Sequence, residues 1–170
     1  MDWLALLFRL IHVPAAIVWA GGAIYLSLYI EPTIAKLGPD ADKFVEEVFV
    51  KRRTSMFFAI AATLTVVGGA YLYVRDAGGL QLWTSTTGIV FTIGAIAGIL
   101  AWLSGAVILG PTVKRVGSLA AQMKAAGGPP SADLMTQMEA AQARLKLISQ
   151  VDTVLIIVAV LTMATARYVV

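Results

Sequence analysis

Residues 86–109 read TTGIVFTIGAIAGILAWLSGAVIL, twenty-four residues without one charged side chain. A helix of about 20 mostly apolar residues crosses the hydrocarbon core of a bilayer. This stretch is long enough to do so, and its glycines and threonines suit helix packing in lipid better than a soluble core. Working outward, three more stretches have the same length and character: about 4–29, 55–74 and 151–169. The sequence therefore predicts an all-α fold, a polytopic membrane four-helix bundle. The whole chain, 1–170, forms one four-helix transmembrane domain, with spans at about 4–29, 55–74, 86–110 and 151–169.

Composition agrees. Of 170 residues, 59% are hydrophobic and 14% charged, against roughly 45–50% and 25% in a soluble domain. Absence of cysteine excludes disulfides, thiolate metal sites and cysteine nucleophiles. Basic residues sit at the ends of apolar runs with no stacking platform between them, which argues against nucleic-acid binding. Before the first apolar run stands Met1-Asp2-Trp3, with no positive segment, and the run exceeds a signal-peptide core. The first span is thus expected to remain in the mature protein.

Charge sets an expected direction. Lys36, Lys43, Lys51, Arg52 and Arg53 lie in the 31–54 connection, and Lys114, Arg115, Lys124, Arg144 and Lys146 in the 111–150 connection. The 75–85 connection has only Arg75, and the tail only Arg167. By the positive-inside rule both long connections are cytoplasmic and both termini face outward, in a bacterial-type inner membrane. Trp3, Trp83, Tyr73 and Tyr168 then fall at the outer boundary as an aromatic belt.

The 111–150 connection is itself patterned. Gly110-Pro111 is expected to kink the third span, after which helix resumes until GGPPSAD makes a turn. Ser131 or Asp133 can cap the next helix. Leu134, Met138, Ala141, Leu145 and Ile148 then mark one buried stripe. Helices 3 and 4 are expected to extend past the membrane as a cytoplasmic hairpin. Glu31-Pro32 is expected to end the first span. Asp152 is expected to pair with Lys51, Arg52 or Arg53 at the boundary, with proton transfer as the alternative role. Gly94 and Gly98, a G-x-x-x-G pair, read as close helix packing.

The chemistry concentrates on the first span. Arg9, His12, Ala15, Ala16, Trp19 and Gly22 recur at three- and four-residue spacing and share one helix face. His12, the only histidine of the chain, lies roughly 12–15 Å below the outer end of its helix. An ionisable group inside a span marks a functional site by default, because its burial is costly unless it is paired or wetted. Three readings of His12 compete. It hydrogen-bonds a backbone carbonyl or a threonine while Arg9 snorkels to the headgroups; or it is the axial ligand of haem iron; or it lines a metal-ion or proton pathway. In the haem reading, small residues leave room for the macrocycle and Arg9 sits where propionates reach outward. Depth bookkeeping places Met163, Gly68, Gly69 and Thr92 in the same layer. Met163 is the candidate second ligand, the glycines open space, and Thr92 is a partner for the second imidazole nitrogen or a propionate. A homodimer could instead bring two copies of His12 to one haem, and a five-coordinate site needs no second ligand. A copper site finds little support: the six methionines form no intramembrane pair, and Met135 and Met138 belong to the hairpin.

The segment RLIHVPAAIVWAGGAIYLSLYIEPTI, the KRRTSM that opens the second span, and the GAVILGPTVKRV that closes the third resemble the CopD-like group of small four-helix membrane proteins. The broader group is similar to HemJ, a membrane protoporphyrinogen oxidase family. The resemblance covers most of the chain in layout, and its most specific element is His12 followed by Trp19 and Gly21-Gly22. It implies haem or porphyrin chemistry at His12. The family's partner lysine on the third span has no counterpart in TSTTGIVFTIGAIAGILAWL. CopD-like proteins imply copper handling. The resulting expectation is a b-type haem protein ligated through His12, in redox chemistry or electron transfer with a membrane partner or quinone, and a membrane oxidoreductase if it is an enzyme. Its rivals are a copper, cation or proton transport protein, and a non-catalytic scaffold subunit whose hairpin docks a partner.

Overall fold

The computed structural model describes residues 2–80 and 83–169. Four helices in it are long and apolar enough to cross a membrane: Trp3–Leu37, the 54–80 helix over Thr54–Asp76, Thr86–Ala125 and Ala132–Tyr168. Among the described residues there is no strand. The first span packs most extensively on the second and the third on the fourth. Second-to-third and first-to-fourth contacts close the bundle.

The interior is built from small residues. Ala20, Ala61, Ala62, Thr65, Thr92, Ala97 and Ala101 are buried, while Ile17, Val67, Ile96, Val154 and Leu161 lie on the outside. Such an inversion of the soluble pattern follows from lipid as solvent. Large apolar side chains gain nothing by facing inward, whereas small ones let backbones approach. At the bundle centre Ala20, Ala101 and Ile156 meet, with Trp19, Ala23, Ile24 and Leu155 against them.

Two prolines lie inside continuous helix, and at Pro32 this departs from expectation. The first span does not end at Glu31-Pro32 but continues to Leu37. The third likewise runs through Gly110-Pro111 to Ala125. In each case a π-helical turn immediately precedes the proline, Leu26–Ile30 in one and Gly105–Leu109 in the other. A proline ring clashes with the carbonyl four residues back, and a π turn widens the helix just there. Gly110 belongs to this geometry, since a Cβ on it would come within 3.2 Å of the Gly105 carbonyl oxygen.

The third and fourth helices do extend together as a hairpin. Ser131 caps the fourth, its hydroxyl accepting from the Leu134 N–H at 3.3 Å. Gly127 turns the chain at φ +65°. Leu119 and Ala141 are buried between the two arms, and Leu134, Met138, Leu145 and Ile148 are the half-buried remainder of the stripe.

Candidate functional site

His12 lies between the first and second spans, half-buried. Its Nδ1 is 2.7 Å from the carbonyl oxygen of Thr65. A helical carbonyl keeps a second lone pair beyond its own i+4 bond, and here the residue four positions on is Gly69. With no side chain there the imidazole can reach that lone pair. A Cβ on Gly69 would stand 2.8 Å from His12 Cε1 and 3.0 Å from Nδ1; one on Gly68 would stand 3.1 Å from His12 Cβ. The glycine pair is therefore the seat of the imidazole itself.

This contact fixes the chemistry of the ring. A carbonyl only accepts, so Nδ1 carries the hydrogen, and in the neutral imidazole the Nε2 lone pair is free. Among the described residues nothing hydrogen-bonds Nε2, and it is not sealed within the chain. Phe8, one turn before His12, stacks on Tyr71 of the second span with centroids 4.0 Å apart and planes at 20°. The pair clamps the two helices beside the histidine.

Arg9 does not stand alone. Its guanidinium lies 3.8 Å from Asp76, which also pairs with Arg75 at 2.7 Å. Arg75 pairs in turn with Asp2 at 2.9 Å. The result is an alternating chain of four charges at one end of the bundle. Asp2 also accepts from the Ala5 N–H at 3.0 Å, capping the first helix. Mainly through that bond, with help from Arg75, its carboxyl is held below the ordinary aspartate value.

The remaining predicted residues spread over other interfaces. Trp19 packs at the bundle centre, roughly 10 Å along the helix from His12. The space beside Gly22 holds the ring of Phe58. Buried Thr92 shares its hydroxyl with Tyr73 Oη at 2.8 Å and donates to the Gly88 carbonyl at 2.9 Å, while the imidazole bonds the Thr65 carbonyl instead. Tyr73 is consequently turned toward the third span rather than out into an aromatic belt; Trp3, Trp83 and Tyr168 are exposed. Met163 lies against Gly94, where an added Cβ would be 3.2 Å from Met163 Cγ, and Thr162 shares that seat. His12, Gly68, Gly69 and Arg9 are thus brought to one helix pair, whereas Met163 and Thr92 serve others.

Asp152 departs from expectation as well. It is only 6% exposed and has the Ser104 hydroxyl as its polar neighbour, with no basic partner among the described residues. Lys51 is held by Glu46 and Glu47 at 3.7 and 3.3 Å, and Arg52 by Glu47 at 3.6 Å. Lys51 and Arg52 are thus held within their own connecting segment, and Arg53 forms no ion pair with Asp152 among the described residues.

Two shallow surface grooves occur, one of about 290 Å³ along Met56, Ile60 and Leu64 and one of about 460 Å³ along Leu28, Pro32 and Lys36. Neither adjoins His12. Thr65, Phe8, Tyr71 and Asp76 are the neighbours that sequence reasoning missed. Phe8 could have been found from its i, i+4 relation to His12, whereas a backbone acceptor such as the Thr65 carbonyl has no sequence signal. Comparison with protein-family models, with curated proteins and with solved structures finds no match to this chain.

Proposed function

We propose that the protein is an integral membrane haem b-binding protein, with His12 Nε2 as the axial ligand and membrane electron transfer as its role. One observation carries this reading. His12 donates through Nδ1 to a backbone carbonyl, the arrangement that orients a ligating imidazole and leaves Nε2 available. The donor fits haem iron; the enclosure is incomplete within one chain, because the glycine seats are filled by His12 and Phe58. His12 would hold the group, and a second copy of the chain would be needed to complete its enclosure.

In this arrangement the chain's own groups have separate tasks. Thr65 holds the imidazole in one tautomer, Gly68 and Gly69 set the distance between the helices, and the Phe8–Tyr71 stack keeps that distance constant. Arg9, fixed by Asp76, supplies positive charge one turn away for carboxylates of the ligand. Bound haem would supply one-electron exchange with a membrane redox partner or quinone. The topology we propose is both termini outward, with the Lys51-Arg52-Arg53 end and the hairpin cytoplasmic in a bacterial-type inner membrane. The layout likeness to HemJ and CopD-like proteins supports haem more than copper, given the absence of cysteine.

The visible absorbance spectrum of the detergent-purified protein tests this. We expect a Soret band in the wild type that is lost in His12→Ala. A wild type that stays colourless with added haemin overturns the reading.

A further inference from the structure

The other polar layer of the bundle is a carboxyl site of a different kind. Glu31 on the first span accepts from the Ser149 hydroxyl of the fourth at 2.9 Å. Ser149 and Asp152 sit one turn apart and share a helix face. The Ser104 hydroxyl of the third span is the polar neighbour of Asp152. Three helices thus meet through two carboxyl groups and two hydroxyls. Ser149 and Asp152 are both 6% exposed. Among buried side-chain atoms described, Asp152 Oδ1 is the one without a hydrogen-bond partner.

The backbone around this layer is unusual too. The π turn Leu26–Ile30 leads directly into Glu31, and the π turn Gly105–Leu109 directly follows Ser104. Both pack against the fourth helix. Single π turns inside helices concentrate at functional sites.

The ionisable groups facing this site are few. The first span offers Glu31, and the third offers only the Ser104 hydroxyl and an uncharged turn. On the fourth helix Lys146 stands one turn before Ser149 and nearly two before Asp152, and on the first Lys36 follows Glu31 by five residues; both are exposed. Neither Glu31 nor Asp152 forms an ion pair among the described residues. Two ionised carboxylates here would carry buried charge with no counter-charge, which costs several kcal/mol per ion. Adding one proton removes one of the two charges with no change of fold, and leaves a single carboxylate beside a neutral acid.

We propose that Glu31 and Asp152 form a proton-binding site that retains one proton at neutral pH and exchanges it through the π-turn end of the bundle. The chemistry is a single protonation, a carboxylate plus H⁺ giving a carboxylic acid, with Ser149 donating to Glu31 and the Ser104 hydroxyl beside Asp152. The site stands apart from His12, and its test does not depend on haem.

Infrared difference spectroscopy of the detergent-purified protein reads the proton directly. The wild type at pH 7 is expected to show a protonated-carboxyl C=O band that shifts in D₂O, vanishes in Asp152→Asn and survives in His12→Ala. That band should be insensitive to NaCl or CaCl₂ at fixed pH. In Glu31→Gln, which also covers the case where Asp152→Asn fails to fold, the band should titrate away at lower pH, because a neighbouring negative charge has gone. Absence of the band in the wild type overturns the proposal. So does its loss on adding Na⁺ or Ca²⁺ at constant pH, which reassigns the site to a metal cation, or a titration unchanged in Glu31→Gln.

Discussion

His12 and Asp152 are both polar side chains inside a bundle of alanines and glycines, yet their surroundings differ in kind. His12 takes its partner from the backbone of the adjacent helix, whereas Asp152 has one serine hydroxyl as its neighbour and leaves an oxygen unmatched. The histidine is held in one tautomer by a group that substitution cannot remove. The aspartate sits where no cation reaches it, so its state depends on what it binds. The first arrangement orients a ligand atom; the second suits exchange.

The largest expected effect comes from closing the histidine's seat. In Gly69→Ala the new methyl carbon meets the imidazole at 2.8 Å. A loss of about 1–3 kcal/mol from overpacking is expected, together with loss of any Soret band. Gly21→Ala, with nothing within 4 Å, should instead gain up to about 1 kcal/mol from helix propensity. Thermal unfolding in detergent reads both, and equal shifts in the two variants contradict the seat.

A middle-sized effect separates backbone from side-chain support. Thr65→Ala removes a hydroxyl that bonds only the Ala61 carbonyl, so the His12 contact and its spectrum should survive. Ser149→Ala leaves a Glu31 oxygen without its donor and should cost about 1–2 kcal/mol. The same melts, with the absorbance spectrum beside them, check the pair. A Soret band lost in Thr65→Ala breaks the distinction.

The smallest effect lies at the exposed end. The Asp2 carboxyl is lowered in the folded state by the Ala5 N–H and Arg75. Its contribution is therefore complete above the ordinary aspartate value and disappears as pH falls through the lowered one. Asp2→Asn should keep the cap while flattening the acid limb of stability against pH. An acid limb identical to the wild type contradicts the assignment.

Much of the architecture was legible in the sequence because length and hydropathy decide it. The uncharged run 86–109 and its three counterparts fall on the four long helices, and the stripe from Leu134 to Ile148 falls inside the hairpin. The end of the first helix was not legible, since Glu31-Pro32 reads as a stop unless a π turn precedes it. At the site, His12 announced itself by its cost in lipid, but its acceptor is a carbonyl that every residue carries. Depth along a helix grouped Met163 with His12, yet depth carries no rotation, and Met163 turns to Gly94. The expected pairing of Asp152 with Lys51 or Arg52 gives way to Glu46 and Glu47, which lie closer along the chain and hold both.

Because the chain has a single histidine, ¹⁵N NMR of histidine-labelled protein observes this site alone. The account predicts a protonated Nδ1 and an unprotonated Nε2 in the haem-free protein, with the Nε2 signal broadened away when haemin is added. A protonated Nε2 with a bare Nδ1, or an Nε2 signal indifferent to haemin, would contradict it.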